Sequence, residues 1–188
     1  MNRVGGRGGA ALARMAAAGP GPGGDYRPCA GGLIFDRRGR LLIFERADRP
    51  GQWQFPQGGL DAGEGEADAA AREVWEETGL RAPTVTFVST LRERLRYDVP
   101  PGTWLEKQGF RGQQMAWSLF FFAPETEDPA KFCDLGGLGG EPQEFRAARW
   151  AGWGEVLEAM AEFKRPVYER LAELAPDEIA NFLAEKGA

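Results

Sequence analysis

The apolar positions of this chain fall into short dense runs separated by glycine-rich and charged segments. "AGGLIFD" (30–36) and "LLIFER" (41–46) are two such runs, and the "RRG" between them reads as the turn of a hairpin. "TVTFVSTLRERLRY" (84–97) is β-branched and then alternating, which predicts a further strand. "QQMAWSLFFFA" (113–123) predicts a strongly apolar strand, and "EFRAARWAG" a last one. Between the second and third runs the period changes to that of a helix. Ala67, Ala70, Ala71, Val74 and Thr78 share one narrow stripe, which predicts a helix from about Glu66 to Thr78, and Gly79 follows where a glycine stops a helix. "GEVLEAM" and "RPVYERLAELA" read as helical, with Pro166 as a first-turn proline. "PPGTWLEKQGFRG" and "PETEDPAKFCDLGGLGGEPQ" read as loops, and "GGLGG" (136–140) lacks the Lys-Ser/Thr ending of a phosphate loop, so it reads as a flexible turn. Strands mixed with two or three helices predict an α+β domain or an α/β/α sandwich.

The ends and the composition narrow this picture. Residues 1–24 hold Gly, Ala, Pro and three arginines with no acid, a composition that cannot bury a core. They read as a disordered tail with some features of an organelle transit segment, although serine is absent. A single domain is expected over 25–188. Its expected location is the cytoplasm, or a plastid or mitochondrion if the tail directs transport. A net charge of −5 and a pI near 5.0 argue against a dedicated nucleic-acid binder, DNA included, but not against contact with a nucleotide or an RNA end. Cys29 and Cys133 lie far apart without metal-ligand spacing and read as free thiols. No apolar run approaches the roughly 18 residues of a membrane span. The chain has no histidine, which rules out Ser-His-Asp and Cys-His nucleophile systems and His-ligated zinc. Catalysis must come from carboxylates, Lys, Tyr, Arg or a hard metal ion.

The predicted helix carries "REVWEETGL", with Glu73, Glu76 and Glu77 inside five positions. At roughly 100° per residue Glu73 and Glu77 lie about 40° apart, and all three are expected to point away from the alanine stripe. A solvated charged face is the ordinary explanation of such a helix. Against it, no lysine sits four residues on to form the usual ion pair, and Arg72 is the local cation. A divalent cation would neutralise the cluster, and Mg²⁺ binds through one or two carboxylates plus substrate phosphates. Upstream, "QGGLDAGE" supplies glycines for tight turns and Glu64 near the helix start, where a carboxylate suits the dipole.

Gly58, five residues, Glu64, seven residues, then Arg-Glu-Val-x-Glu-Glu-x-Gly-Leu resembles the Nudix box with every specified position filled. "YRPCAGGLIFD", "WQFPQGG", "LRYDVPP", "GFRGQ" and "EFKRPVYE" extend the resemblance from about Tyr26 to Leu174. They look like the subgroup of asymmetric dinucleoside tetraphosphate hydrolases and bacterial RNA 5′-pyrophosphohydrolases. The resemblance implies a Nudix-type α/β/α sandwich with a mixed central sheet, binding Mg²⁺ or Mn²⁺. It nominates Glu73, Glu76 and Glu77 as metal ligands and Arg72 as the group that orients a glutamate. Gly58 and Gly59 would shape the loop. Glu144 in "EPQEFRAARW" would be the distant acid, with Glu141 its competitor, and Glu73 or Glu144 would be the base. Arg27 and Arg46 match basic positions near the phosphate chain. Tyr97, Phe163 and Lys164 would frame a base, unless Phe163 is core and Lys164 solvated. Trp53, Phe55 and Pro56 read as packing, while Gln54 and Gln57 are left open.

One segment departs from the subgroup: Met115 and Ala116 stand where relatives carry Gln and Lys. The implied activity is metal-dependent hydrolysis of a diphosphate linkage in a nucleoside polyphosphate. Diadenosine tetraphosphate, giving ATP and AMP, is expected first and pyrophosphate removal from a 5′-triphosphorylated RNA second. A non-catalytic nucleotide-sensing module and a purely structural acidic domain are the contrasting expectations. The protein is expected to be a monomer or a weak homodimer.

Overall fold

A computed structural model of the chain describes residues 25–187; the low-complexity stretch at 1–24 lies outside them. Strands β1 (Tyr26–Phe35) and β2 (Leu41–Arg46) form the expected hairpin, with Ile34 opposite Leu42 and Phe35 opposite Leu41. Short strands β3 (Trp53–Gln54) and β4 (Gln57–Gly59) follow. Helix α1 covers Glu66–Thr78, with Glu66 and Asp68 in its first turn and Gly79 closing it at φ +74°. Strands β5 (Val85–Thr90) and β6 (Leu95–Asp98) lead through a one-turn helix α2 (Trp104–Lys107) to the long β7 (Gly112–Phe122). Strand β8 (Phe145–Ala151), helix α3 (Trp153–Ala159) and helix α4 (Arg165–Gly187) complete the domain.

The strands make one mixed, largely antiparallel sheet. Its main path runs β3-β2-β1-β7-β5, with β4 on β1, β6 on β7 and β8 on β2. The β1–β7 pair is parallel and runs ten residues in register from Tyr26–Gly112 to Phe35–Phe121. Successive side chains of a strand point to opposite faces. Leu33, Phe35, Leu41, Ile43, Met115 and Trp117 accordingly pack on one face against Val156, Val167, Tyr168 and Leu171 from the α3–α4 side. Ile34, Leu42, Phe44, Phe120 and Phe122 pack on the other face against Ala69, Ala70 and Val74 of α1. This is an α/β/α sandwich.

Several elements differ from the sequence reading. The predicted strand over 84–97 is broken into β5 and β6. At the break the Arg94 guanidinium donates to the carbonyls of Leu91 and Arg92, taking acceptors that a continuous ladder would use. The loop 99–111 contains α2. Helix α4 runs on through Pro176, held by the buried face of Leu171, Ala175 and Ile179. On α1 the stripe is rotated: Ala69 is buried and Ala71 exposed. Consequently Glu73 and Glu76 do not point outward but are 8% and 5% exposed. "GGLGG" is docked rather than free. Its Leu138 N–H donates to the Glu76 carbonyl at 3.0 Å, and Asp134 N–H to the Thr78 carbonyl at 2.9 Å, so this loop caps the end of α1.

A candidate diphosphate-hydrolysing site

The sheet opens a cavity of about 740 Å³ where β1 and β7 begin and β2 and β6 end. "WQFPQGG" is the hinge of its wall. Phe55 is fully buried and stacks on Tyr168 at 5.3 Å and 5°, with its N–H donating to the Tyr168 hydroxyl at 3.1 Å. Gly32 N–H donates to the Pro56 carbonyl at 2.9 Å. This anchoring presents Gln57, Gly58 and Gly59 to α1. A Cβ at Gly58 would collide with the Glu73 carboxylate, and one at Gly59 with the Arg27 guanidinium. Both glycines are there because side chains of the site occupy the space a Cβ would need.

Arg72 organises the acids. Its Nε and Nη2 grip the two Glu64 oxygens at 2.8 and 2.9 Å. Its Nη1 donates to Glu73 Oε1 at 2.7 Å and Glu76 Oε2 at 2.9 Å, and its Nη2 also reaches the Gly59 carbonyl at 2.8 Å. Glu64 in turn accepts the Asp61 N–H at 3.0 Å. Glu64 is thus the fixed end of a bidentate pair, and Arg72 is shared with two box glutamates. Burial pushes Glu73 up to about 7, with Arg72 pulling it back and Glu76 pushing further. Glu77 accepts the Gln57 N–H at 3.1 Å and has no salt-bridge partner among the described residues. Burial, then the charges of Glu73 and Glu144, hold its carboxyl well above the usual range.

Glu144 comes from the loop before β8. Its carboxylate meets Arg46 Nη1 at 2.6 Å, and its carbonyl accepts the Ala47 N–H at 2.8 Å. Arg46 is also held through Nε by Asp48 at 2.7 Å. Glu141 lines the cavity as well. On the remaining wall Tyr97 is 6% exposed and its hydroxyl bonds to Gln113 Oε1. Phe163 lies 5.7 Å from the Tyr97 ring, and Lys164 Nζ 5.8 Å. Lys164 is not solvated: it is 6% exposed and donates to Gln54 Oε1 at 2.9 Å. Burial, then the charge of Arg46, lowers it to about 8. Gln54, left open by the sequence, is therefore the lysine's partner. Gln57 Oε1 is buried with no hydrogen-bond partner among the described residues. The cavity is lined by Glu73, Glu76, Glu77, Glu144, Arg72, Arg27, Arg46, Gly58, Gly59, Tyr97, Phe163 and Lys164. Sequence reasoning missed Gln113 and Trp104, which also line it. Their spacing carries no signal. The two thiols are free, Cys29 buried and Cys133 partly so, and burial pushes each up to about 12.

Known proteins resemble this chain in sequence and in fold. The NUDIX domain model matches residues 25–171. An RNA pyrophosphohydrolase of Cereibacter sphaeroides is 39% identical over 151 residues, covering 78% of this chain and 88% of that protein. One from Sphingopyxis alaskensis is 38% identical, covering 79% and 91%. Among solved structures, a C. elegans Ap4A hydrolase binary complex has a TM-score of 0.55 at 18% identity, covering 85% of this chain and 98% of that one. A MutT protein from Methanosarcina mazei has a TM-score of 0.52 at 18% identity, covering 80% and 95%. At such identities these structures attest the fold. The chain belongs to the Nudix family and is a hydrolase of pyrophosphate bonds.

Nudix hydrolases generally use divalent metals. Among the described residues no three acids already form a ligand cage, because Arg72 spans Glu73 and Glu76. The donors nevertheless fit a hard ion. All are carboxylate oxygens, Glu77 has no salt bridge among the described residues, and Mg²⁺ needs one or two carboxylates when waters and phosphates complete its shell.

Proposed function

We propose that this chain is an RNA 5′-pyrophosphohydrolase, removing pyrophosphate from 5′-triphosphorylated RNA with Mg²⁺ or Mn²⁺. The observation that carries the chemistry is the gathering of the carboxylates Glu73, Glu77 and Glu144 in one cavity with Arg27, Arg46 and Lys164. The choice of RNA rests on the named relatives at 38–39% identity. It reverses the order expected from sequence, where diadenosine tetraphosphate came first. The Ap4A hydrolase likeness is at 18% identity and speaks for fold alone.

Glu73, Glu76 and Glu77, with Glu144, are the residues that would hold the ion. When bound, it would draw charge from the phosphate oxygens and make water more acidic. Arg72 keeps Glu73 and Glu76 in register from behind. Arg27 and Arg46 supply guanidinium forks for phosphate oxygens. Glu73 and Glu144 are the two candidates for taking the proton of the water that attacks phosphorus in line. No covalent enzyme intermediate is required.

The test is a panel of 5′-triphosphorylated oligoribonucleotide, diadenosine tetraphosphate and diadenosine pentaphosphate with product identification, in Mg²⁺ and in Mn²⁺. Pyrophosphate release from RNA should have the largest kcat/KM, and Glu77→Gln should lower it by about 10²–10³, the scale of one lost electrostatic stabiliser. A preference for diadenosine tetraphosphate restores the second reading. Unchanged turnover in Glu77→Gln removes α1 from the metal site.

A further inference from the structure

Three large apolar side chains stand out as exposed among the described residues: Phe87 at 47%, Phe132 at 43% and Trp104 at 41%. Phe87 and Phe132 set ring edges against Phe120 and Phe122, at 5.9 and 5.5 Å. Trp104 differs, because it lines the cavity. The Arg27 guanidinium lies 5.2 Å from the centroid of its ring. That same guanidinium passes over Gly59, whose carbonyl is held by Arg72. A continuous path of contacts therefore runs from the acidic helix through Gly59 and Arg27 to an exposed indole.

The indole is presented on an anchored turn. Leu105 beside it is 4% exposed, and the Gly102 N–H donates to the Glu106 carboxylate at 2.6 Å. The Gln108 N–H returns to the Trp104 carbonyl at 3.2 Å. Pro100 and Pro101 restrict the approach to this turn. An exposed tryptophan on a restrained turn, beside an arginine that reaches over Gly59 toward the acidic floor of the cavity, has the chemistry of a base platform. Every nucleobase has a π-face, and stacking on an aromatic ring tolerates any sequence.

We propose that Trp104 is a stacking shelf for an unpaired nucleobase downstream of the 5′ nucleotide, with Arg27 joining that shelf to the phosphate end. The proposal rests on the RNA reading of the site. A triphosphate on the floor fixes the first nucleoside, and the strand then leaves over the rim that Trp104 forms. Shelf stacking requires the downstream base to be single-stranded, so a 5′ end paired into a duplex binds less well.

The experiment compares wild type, Trp104→Ala and Trp104→Phe on a triphosphorylated tetranucleotide and on the same RNA with abasic residues at its second and third positions. GTP serves as a competing mononucleotide without a downstream base. Trp104→Ala should raise KM for the intact RNA by roughly tenfold, well beyond any fall in kcat. That penalty should vanish on the abasic RNA, the Ki of GTP should stay put, and Trp104→Phe should recover most of the loss. Equal losses on intact RNA, abasic RNA and GTP overturn the shelf, since Trp104 then only holds Arg27. No loss on any of them overturns it too. If wild type releases no pyrophosphate from RNA, the substrate reading fails on its own. The shelf is then judged by fluorescence with 5′-monophosphorylated tetranucleotide. Quenching present in wild type and absent in Trp104→Phe supports it, and identical traces end it.

Discussion

A lysine ammonium removed from water and held by a neutral amide destabilises the fold that contains it, and Lys164 is in that position. Its folded pKa of about 8 lies below the ordinary 10.5, with burial the main cause. Between those values the unfolded chain binds the proton and the folded chain does not, so stability must rise with pH across pH 8 to 10.5. Lys164→Met removes this dependence. Measured by denaturant unfolding without metal, the stability of wild type minus that of Lys164→Met should be flat below about pH 7. It should then shift in favour of wild type by roughly 3 kcal/mol by pH 10.5. Tyrosine and thiol titrations common to both chains cancel in the difference. A flat difference over the whole range would mean that Lys164 keeps its ordinary pKa and is hydrated. Sequence offered this residue as solvated or as framing a base. Neither anticipates a sealed ammonium, because its burial is set by Gln54, 110 positions away, and no local pattern encodes that partner.

At the scale of elements, the close approach of β4 to α1 decides how the box works. A Cβ at Gly58 would overlap the Glu73 carboxylate, whereas one at Gly154 in α3 meets nothing within 4 Å. Gly58→Ala should therefore lower unfolding free energy by about 1–3 kcal/mol and displace Glu73, with a fall in turnover beyond what the stability loss explains. Gly154→Ala should be stabilising by about 0.4–1 kcal/mol with turnover unchanged. The two are separated by chemical denaturation together with kcat on the RNA substrate. An undisturbed Gly58→Ala would show that β4 and α1 stand further apart. The strands β1, β2 and β7 and the helix α1 were readable because their apolar periods are strong and bounded by turns. The rotation of α1 was not readable, because Ala67, Ala69, Ala70 and Ala71 are all small and apolar. Choosing between overlapping alanine stripes takes the sheet face they pack against. Likewise the break between β5 and β6 is made by one guanidinium turning onto Leu91 and Arg92, within a segment whose alternation reads as unbroken strand. The box spacing pointed to the three glutamates, but the burial of Glu73 and Glu76 follows from Arg72, which satisfies both inside the fold.

Across the whole molecule, a chain of net charge −5 concentrates like charge at one end of its sheet, where burial and then the charges of Glu73 and Glu144 raise the proton affinity of Glu77. Neutralising that end should stabilise the entire sandwich, since α1, β4 and the loop before β8 are all drawn to the same place. A ligand that binds the folded state alone adds about 2.7 kcal/mol at a hundred times its Kd. For a domain of this size each kcal/mol moves Tm by roughly 2–4 °C, so saturating Mg²⁺ or Mn²⁺ should raise Tm by about 5–10 °C. Pyrophosphate added with the ion should raise it further, because Arg27, Arg46 and Lys164 line the same cavity and gain an anionic partner. Glu77→Gln should start from a higher Tm without metal, as one buried like charge is gone, and should lose most of the metal-induced rise. This crossing of the two melting curves separates a metal site from a general salt effect, which would shift both proteins equally. Equal shifts in wild type and Glu77→Gln, or no shift in either, would leave the acidic end of the sandwich as surface charge and would withdraw the ion from the mechanism.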